Sequence, residues 1–229
     1  MTDKKKDRPF VFVRCVTFNH EAYIKDALNG FVMQQTNFPF VVAIVDDAST
    51  DNNARIIREY LQRVCDFDSI KSTIEEYGKV IDATPLDNPN CLLHVVLLNE
   101  NHYGKKSKLP YFAKYENAAK YVAMCEGDDY WTDPMKLQKQ VDFLEGHEEY
   151  SMCFHGAEIV HEGVDESKTG LRCQNTEERE YSSTEVFSFW IVPTASIVYR
   201  CEMLIGFNLK HPEWLTRGDI ALVLKCAHR

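Results

Sequence analysis

The chain has 229 residues and carries 26 Lys and Arg against 35 Asp and Glu, a formal net charge of −9. That balance excludes a general nucleic-acid coat, which needs a basic face to neutralise phosphates. A hydrophobic share of 45% and a charged share of 27%, with 10 Gly and 8 Pro, exclude disordered, collagen-like and low-complexity chains.

Residues 1 to 9 form a polar tail with no apolar signal-peptide core. Phe10 to Val16 is short, apolar and β-branched and reads as a buried strand. Tyr23, Ile24, Ala27, Leu28, Phe31 and Val32 then recur at spacings of three and four, the stripe of a helix. Val41 to Val45 is a second strand running into Asp46-Asp47-Ala48-Ser49-Thr50-Asp51. Ile56, Ile57, Tyr60, Leu61 and Val64 give the next helical stripe, which Asp51 is placed to cap. Residues 65 to 91 hold Pro85, Pro89 and only a weak helical pattern, and read as a surface insertion. Leu92 to Leu98 is a third strand and Tyr121 to Cys125 a fourth. Between them, residues 103 to 120 carry five lysines against one acid, Glu116, the pattern of a solvated helix face. After Glu126-Gly127-Asp128-Asp129-Tyr130-Trp131, Asp133 as N-cap and Pro134 at the first helical position open a helix carrying Leu137, Val141 and Leu144. Residues 145 to 180 hold ten acids against three bases, a solvated surface. Ser182 and Glu185 predict a capping box on a short helix through Trp190, with Ile197 to Tyr199 a later strand. Strands alternating with helices predict an α/β fold whose central sheet is mostly parallel and flanked by helices.

Several classes drop out. No run of about 18 apolar residues is present to span a membrane. The eight cysteines include no pair within three residues, so there is no CxxC redox or zinc motif, and reduced thiols in a cytoplasmic protein are expected. There is no GxGxxG, GxSxG or HExxH: His20-Glu21 and His161-Glu162 begin like the last, but Ile24 and Asp165 stand at the fifth positions. Gly104-Lys105-Lys106-Ser107 ends like a Walker A loop, yet Asn99 stands where its first glycine belongs.

The informative feature is where the acids fall. Asp46-Asp47 ends the second strand and Asp128-Asp129 the fourth, and in open α/β sheets ligands bind beyond the carboxyl ends of the strands. Alone, an Asp pair at a strand end also serves as a turn and a helix cap. Four carboxylates converging on one crevice repel one another, and a divalent cation removes the conflict. Mg²⁺ or Mn²⁺ typically takes one or two carboxylates and fills its shell with water and substrate phosphates.

Val16-Thr17-Phe18-Asn19-His20-Glu21-Ala22-Tyr23-Ile24, Val45 to Asp51, and Glu126 to Trp131 resemble the three successive signatures of family 2 glycosyltransferases, inverting enzymes of the GT-A fold. The resemblance covers residues 10 to 145 in order and spacing. It implies that Thr17 and Phe18 line the nucleotide base, and that Asp46 or Asp47 accepts hydrogen bonds from that base, commonly uracil. It also implies a DXD-like site, with Asp129 as metal ligand and Asp128 facing the ribose or the sugar and sharing the metal. Lys105, Lys106 or Lys114 could add positive charge to the phosphates. Thr216-Arg217-Gly218-Asp219-Ile220-Ala221-Leu222 resembles the motif that carries the family's base, so Asp219 is the candidate to take the acceptor proton. An N-cap role explains an Asp at that position equally well. Trp190 and Pro193-Thr194-Ala195-Ser196 are expected on the acceptor side, though packing alone accounts for a large aromatic.

The implied organisation is one GT-A domain over residues 10 to 229, with a nucleotide-sugar half to residue 145 and an acceptor half from 146. Family members continue with elements that close the acceptor site, so a chain ending at Cys226-Ala227-His228-Arg229 reads as C-terminally truncated. The implied activity is metal-dependent transfer of a sugar from a nucleotide donor, commonly a UDP-sugar, to a saccharide or lipid-linked saccharide acceptor. Surface polysaccharide assembly is the implied setting, with no nucleic-acid partner. Peripheral association with the inner membrane face and the oligomeric state stay open. Two other readings also stay open: a non-catalytic nucleotide-sugar-binding module, and a nucleotidyltransferase. The second would need a Gly-rich basic loop after the first strand, where Val16 to Glu21 stands instead.

Overall fold

Alternation along the strands builds two cores, one on each face of a sheet. In chain order the elements are β1 (Val11–Thr17), α1 (Ile24–Val32), β2 (Phe40–Asp46), α2 (Asn53–Val64), β3 (Lys71–Glu75), β4 (Gly78–Ala83), β5 (Cys91–Leu98), α3 (Leu109–Glu116), β6 (Tyr121–Met124), α4 (Lys136–Gly146), β7 (Met152–Cys153), β8 (Ala157–Glu158), β9 (Cys173–Gln174), α5 (Ser183–Ser188) and β10 (Val198–Arg200). The structure is a computed structural model that describes residues 9–160, 173–174, 178–188, 191–204 and 226.

Val11, Val13 and Cys15 of β1 pack with Ile24, Leu28 and Phe31 of α1, Ile57 and Leu61 of α2, and Leu137, Val141 and Leu144 of α4. Phe12, one residue out of step, joins the opposite core with Phe112 and Tyr115 of α3 and Val186 of α5. That is the period-two rule of a strand buried on both sides. All seven residues of β2 are buried, as its central position requires. Each large apolar side chain removed from water in this way contributes about 1.5–3 kcal/mol.

The eight-stranded sheet runs β3-β4-β5-β2-β1-β6-β10-β7, and a two-stranded ribbon pairs β8 with β9. β5, β2, β1 and β6 are parallel, with Thr17 opposite Asp46 and Val11 opposite Tyr121. From β1 the chain first builds toward β2 and β5, then returns to place β6 on the other flank of β1. The strand order reverses between β1 and β6, which is where such sheets bind ligands.

Three expectations need correction. Residues 65 to 91 are not a mere surface insertion: β3 and β4 form a hairpin that extends the sheet, with Val80 antiparallel to Val96. β3 is exposed at every position, so no buried face marks it as a strand. The helix after Trp131 begins at Lys136 rather than at Pro134, and Asp133 Oδ1 accepts from the Met135 amide at 2.8 Å in the turn before it. The late strand starts at Val198 and reaches Arg200, antiparallel to β6.

Elsewhere the local chemistry is as expected. Ser182 and Glu185 form the capping box, with the Ser182 amide donating to Glu185 Oε2 at 2.9 Å and the Glu185 amide donating to Ser182 Oγ at 3.3 Å. Asp51 Oδ1 accepts from the Asn53 amide at 2.9 Å at the start of α2. Cys15, Cys65, Cys91, Cys125, Cys153, Cys201 and Cys226 are free thiols. Among the described residues no helix is long and apolar enough to cross a membrane. Trp190 and the Thr216–Leu222 segment with Asp219 lie outside the described residues.

Candidate active site

The loops after β1 and β2 are laced together by their own motif residues. Asn19 and Ala48 adopt left-handed backbone, at φ 56° and 60°. Ala48 pays for that conformation sterically, as any residue with a Cβ does. The turns aim polar groups at each other: the Asn19 amide donates to Ser49 Oγ at 2.9 Å, and the Thr50 amide donates to Asn19 Oδ1 at 2.8 Å. One residue further, the Glu21 amide donates to Asp51 Oδ2 at 2.9 Å and the Asn52 amide to Glu21 Oε2 at 2.8 Å. Asn19, Glu21, Ser49, Thr50 and Asp51 are therefore bound up in scaffolding.

The two aspartates at the end of β2 differ in what they touch. Asp46 Oδ1 accepts from the Ser49 amide at 2.9 Å, and its Oδ2 accepts from Asn53 Nδ2 at 2.6 Å. Both oxygens serve the turn into α2. Asp47, 2% exposed, reaches the other way. Its Oδ1 accepts from the His102 amide at 2.7 Å, and its Oδ2 lies 2.8 Å from Lys108 Nζ. The Asp47 amide donates to Thr17 O at 2.9 Å, joining the tips of β1 and β2.

Across the switch point, the Gly127 amide donates to Val16 O at 2.9 Å. A Cβ at Gly127 would lie 2.5 Å from Thr17 Oγ1 and 3.0 Å from His20 Nδ1, so the loop after β6 approaches β1 as only glycine permits. That approach sets Asp128 and Asp129 beside the buried Thr17. His20 Nε2 is 3.7 Å from Asp128 Oδ2, while its Nδ1 is buried with no hydrogen-bond partner among the described residues. Although Asp129 is an exposed residue, partial desolvation by the surrounding protein and then the Asp128 carboxylate raise its carboxyl above the ordinary range, with His20 opposing. The described residues contain no group of three or more His, Cys, Asp or Glu side chains placed to hold a metal.

Thr17, Asp46, Asp47, Asp128 and Asp129 thus come together at the tips of β1, β2 and β6. Phe18 is 39% exposed just past β1. Among the described residues none of the named lysines is paired with these carboxylates. Lys105 is exposed, Lys106 pairs with Glu100, and Lys114 Nζ donates to the Tyr115 hydroxyl at 2.8 Å on α3. The lysine at the strand tips is Lys108, which nothing in its lysine-rich run singles out.

Beyond Asp128 and Asp129 opens a cavity of about 720 Å³, walled by α4, residues 155–160 and the 193–196 turn. Trp131 forms part of its floor, its Nε1 donating to Ala195 O at 2.7 Å. A Cβ at Gly30 would come within 2.8 Å of the Trp131 backbone nitrogen, so α1 seats directly on this loop. Pro193, Thr194, Ala195 and Ser196 line the cavity, as do Lys136 and His155.

A switch-point crevice rimmed by strand-tip carboxylates on an α/β sheet defines a class, and comparison supplies the family. The sequence profile of glycosyl transferase family 2 matches residues 13–204, and the chain belongs to that family. Rv1520 of Mycobacterium tuberculosis, an uncharacterized protein, is 35% identical over 187 residues, covering 81% of this chain and 45% of its own length. TuaG of Bacillus subtilis, whose name assigns it to teichuronic acid biosynthesis, is 27% identical over 137 residues, 60% of this chain and 42% of its own. The chain therefore spans about half the length of the curated relatives it matches. Among solved structures, Staphylococcus aureus TarS in complex with UDP-GlcNAc superposes with a TM-score of 0.60 at 22% identity, over 95% of this chain and 53% of that one. Mannosyltransferase PcManGT of Pyrobaculum calidifontis, in complex with GDP-Man and Mn²⁺, gives 0.50 at 15% identity, over 87% and 46%. These likenesses concern the fold, which is GT-A.

Proposed function

We propose that this chain moves a sugar from a nucleotide-diphosphate donor, a UDP-sugar, to an acceptor hydroxyl with inversion, in the assembly of a surface polysaccharide. The observation that carries the reading is the convergence of Thr17, Asp47, Asp128 and Asp129 at the β1/β6 switch point. Of the pair, Asp47 would meet the base by exchanging its His102 or Lys108 contact, whereas both Asp46 oxygens hold the turn into α2. Thr17 and Phe18 would flank that base at the end of β1. Lys108, rather than Lys105 or Lys114, would supply the cation nearest it.

Asp128 and Asp129 fit a hard divalent cation, Mg²⁺ or Mn²⁺. They are adjacent carboxylates whose mutual repulsion is felt at Asp129, and two oxygen ligands leave positions for water and a diphosphate. Such a cation would offset charge developing on the departing nucleotide. The chain's own part is to hold the donor with its anomeric carbon turned toward the cavity at Trp131, and to exclude water there. Asp219 would take the proton from the acceptor hydroxyl on the face opposite the leaving group. The acceptor, a saccharide or lipid-linked saccharide, would enter on the side of residues 193–196. The polysaccharide setting is supported by the similarity to TuaG.

The deciding experiment is a thermal-shift panel of nucleotide sugars with and without Mn²⁺, followed by donor-turnover assays. Metal-dependent stabilisation by UDP-sugars with release of UDP supports transfer. Stabilisation without turnover supports a binding module instead, and no response to any nucleotide overturns both.

A further inference from the structure

The most unusual side chain near the site is one the proposed transfer does not use. Lys136, in the first turn of α4, is 4% exposed, yet no carboxylate is paired with it among the described residues. Its Nζ donates to Gln140 Oε1 at 2.7 Å and stands 4.2 Å from the centroid of the Trp131 ring. An ammonium has three donors, and one neutral acceptor and one ring face do not repay its desolvation. The thiols nearest to it, Cys125 and Cys153, are both pushed up by burial and stay neutral. Burial correspondingly pushes the Lys136 ammonium down to about 7.

This lysine is not sealed in the core. It lines the cavity of about 720 Å³ that Asp128 and Asp129 also line. The frame around it is stiff: Gln140 Nε2 donates to Ser196 O at 2.8 Å, and Trp131 Nε1 holds Ala195 O. The other groups facing the cavity are largely answered. Lys139 pairs with Asp133 at 2.8 Å, and His155 Nδ1 is held at 2.7 Å by Gly156 O, leaving Nε2 unengaged by that bond. Glu158 lies on the exposed outer wall. What remains is a buried, pre-positioned amine in the wall of that cavity.

We propose that this cavity is a subsite for an anionic group, a carboxylate or a phosphate carried by one of the two substrates, with Lys136 as the charge that receives it. The inference rests on the transferase reading, which puts the reacting sugar at the Asp128–Asp129 rim of the same cavity. The anion then belongs either to the donor sugar, as in a uronic acid, or to the acceptor, as in a phosphate-bearing saccharide. A charge-assisted contact to a buried lysine is expected to favour the anionic ligand at least about tenfold over its neutral counterpart.

The test uses calorimetry with Mn²⁺ on the full chain, comparing wild type with Lys136→Met and Lys136→Gln. Removing an unpaired buried charge seldom costs stability, and the glutamine variant decides the matter if methionine is not tolerated. In the donor arm the ligands are UDP, UDP-glucose and UDP-glucuronate. A wild-type preference for UDP-glucuronate that vanishes in the variants supports the subsite and assigns the anion to the donor. In the acceptor arm glycerol 3-phosphate and glycerol are titrated into the UDP-bound protein. A Lys136-dependent preference for the phosphate supports the subsite and assigns the anion to the acceptor. UDP binding equal in all three proteins, with no Lys136-dependent preference in either arm, overturns the subsite and leaves the transferase reading standing. Failure of UDP to bind wild type overturns that reading and this inference with it.

Discussion

Asp47 and Lys108 meet at 2.8 Å across the tips of β2 and α3, 3% and 15% exposed in their side chains. Removing Lys108 would leave a buried carboxylate whose one remaining donor among the described residues is the His102 backbone amide. Lys108→Met should therefore cost about 2–4 kcal/mol in denaturant unfolding. The double variant Asp47→Asn/Lys108→Met should recover part of that, because a neutral amide oxygen still accepts from His102. Strictly additive losses in the cycle would show that the pair is not coupled.

Strands buried on both faces, such as Val41 to Val45, and stripes such as Ile24, Leu28 and Phe31 announce themselves by period. β3 does not, because Lys71 to Glu75 is an exposed edge whose strand character comes from pairing with β4. Gly78 was the available signal: it opens β4 directly after the two-residue turn, at φ 154°, and a Cβ there would meet Leu97 O at 2.0 Å. The three motifs located the site, but part of their content is scaffolding, as the bonds among Asn19, Glu21, Ser49, Thr50 and Asp51 show. Lys108 was hidden for a different reason. Its partner lies 61 residues upstream, and nothing local separates it from Lys105 or Lys106.

Gly127 is where the loop after β6 touches β1, so added bulk should separate the halves of the site. Gly127→Ala sets a methyl 2.5 Å from Thr17 Oγ1 and 2.6 Å from Thr17 Cβ, both on a buried residue. A loss of about 1–3 kcal/mol is expected from overpacking, with UDP affinity in Mn²⁺ falling by more than tenfold. Unchanged affinity in a stably folded variant would mean that Thr17 and the 127–129 loop need not be in register.

Donor binding and proton removal should separate by mutation. Asp128→Ala should abolish the Mn²⁺-dependent part of UDP binding. Asp219→Asn should leave that binding intact and reduce transfer by at least about a hundredfold. Preserved turnover in Asp219→Asn would remove it as the base, and unchanged Mn²⁺ dependence in Asp128→Ala would remove the metal assignment.

Lys136 also makes a prediction in the absence of any ligand. Its folded value, pushed down to about 7, lies below the unfolded lysine value of about 10.4. The folded state therefore binds this proton less tightly, and the destabilisation is complete below pH 7 and fades as pH rises toward the unfolded value. Lys136→Met should melt higher than wild type at pH 6, with the difference shrinking between pH 7 and 10. A difference independent of pH would point to packing against Trp131 as its cause.

Asp129 shows the opposite linkage. Partial burial, then the neighbouring Asp128 carboxylate, raise its folded value above the ordinary carboxylate value of about 3.9. The folded state thus holds this proton more tightly than the unfolded chain does. Its contribution to stability falls as pH rises through the unfolded value into the raised folded one, and stays low above it. Asp129→Asn removes the ionised carboxylate and should melt higher than wild type near neutral pH, with the gap closing below about pH 4. Mn²⁺ should narrow the same gap from the other side by stabilising wild type more than the variant, since it answers the repulsion that the substitution deletes. Scanning calorimetry from pH 3.5 to 7.5, with and without Mn²⁺, reads both effects. A gap that is constant across that range, or indifferent to the metal, would show that carboxylate repulsion at the tip of β6 is not what Asp129 contributes.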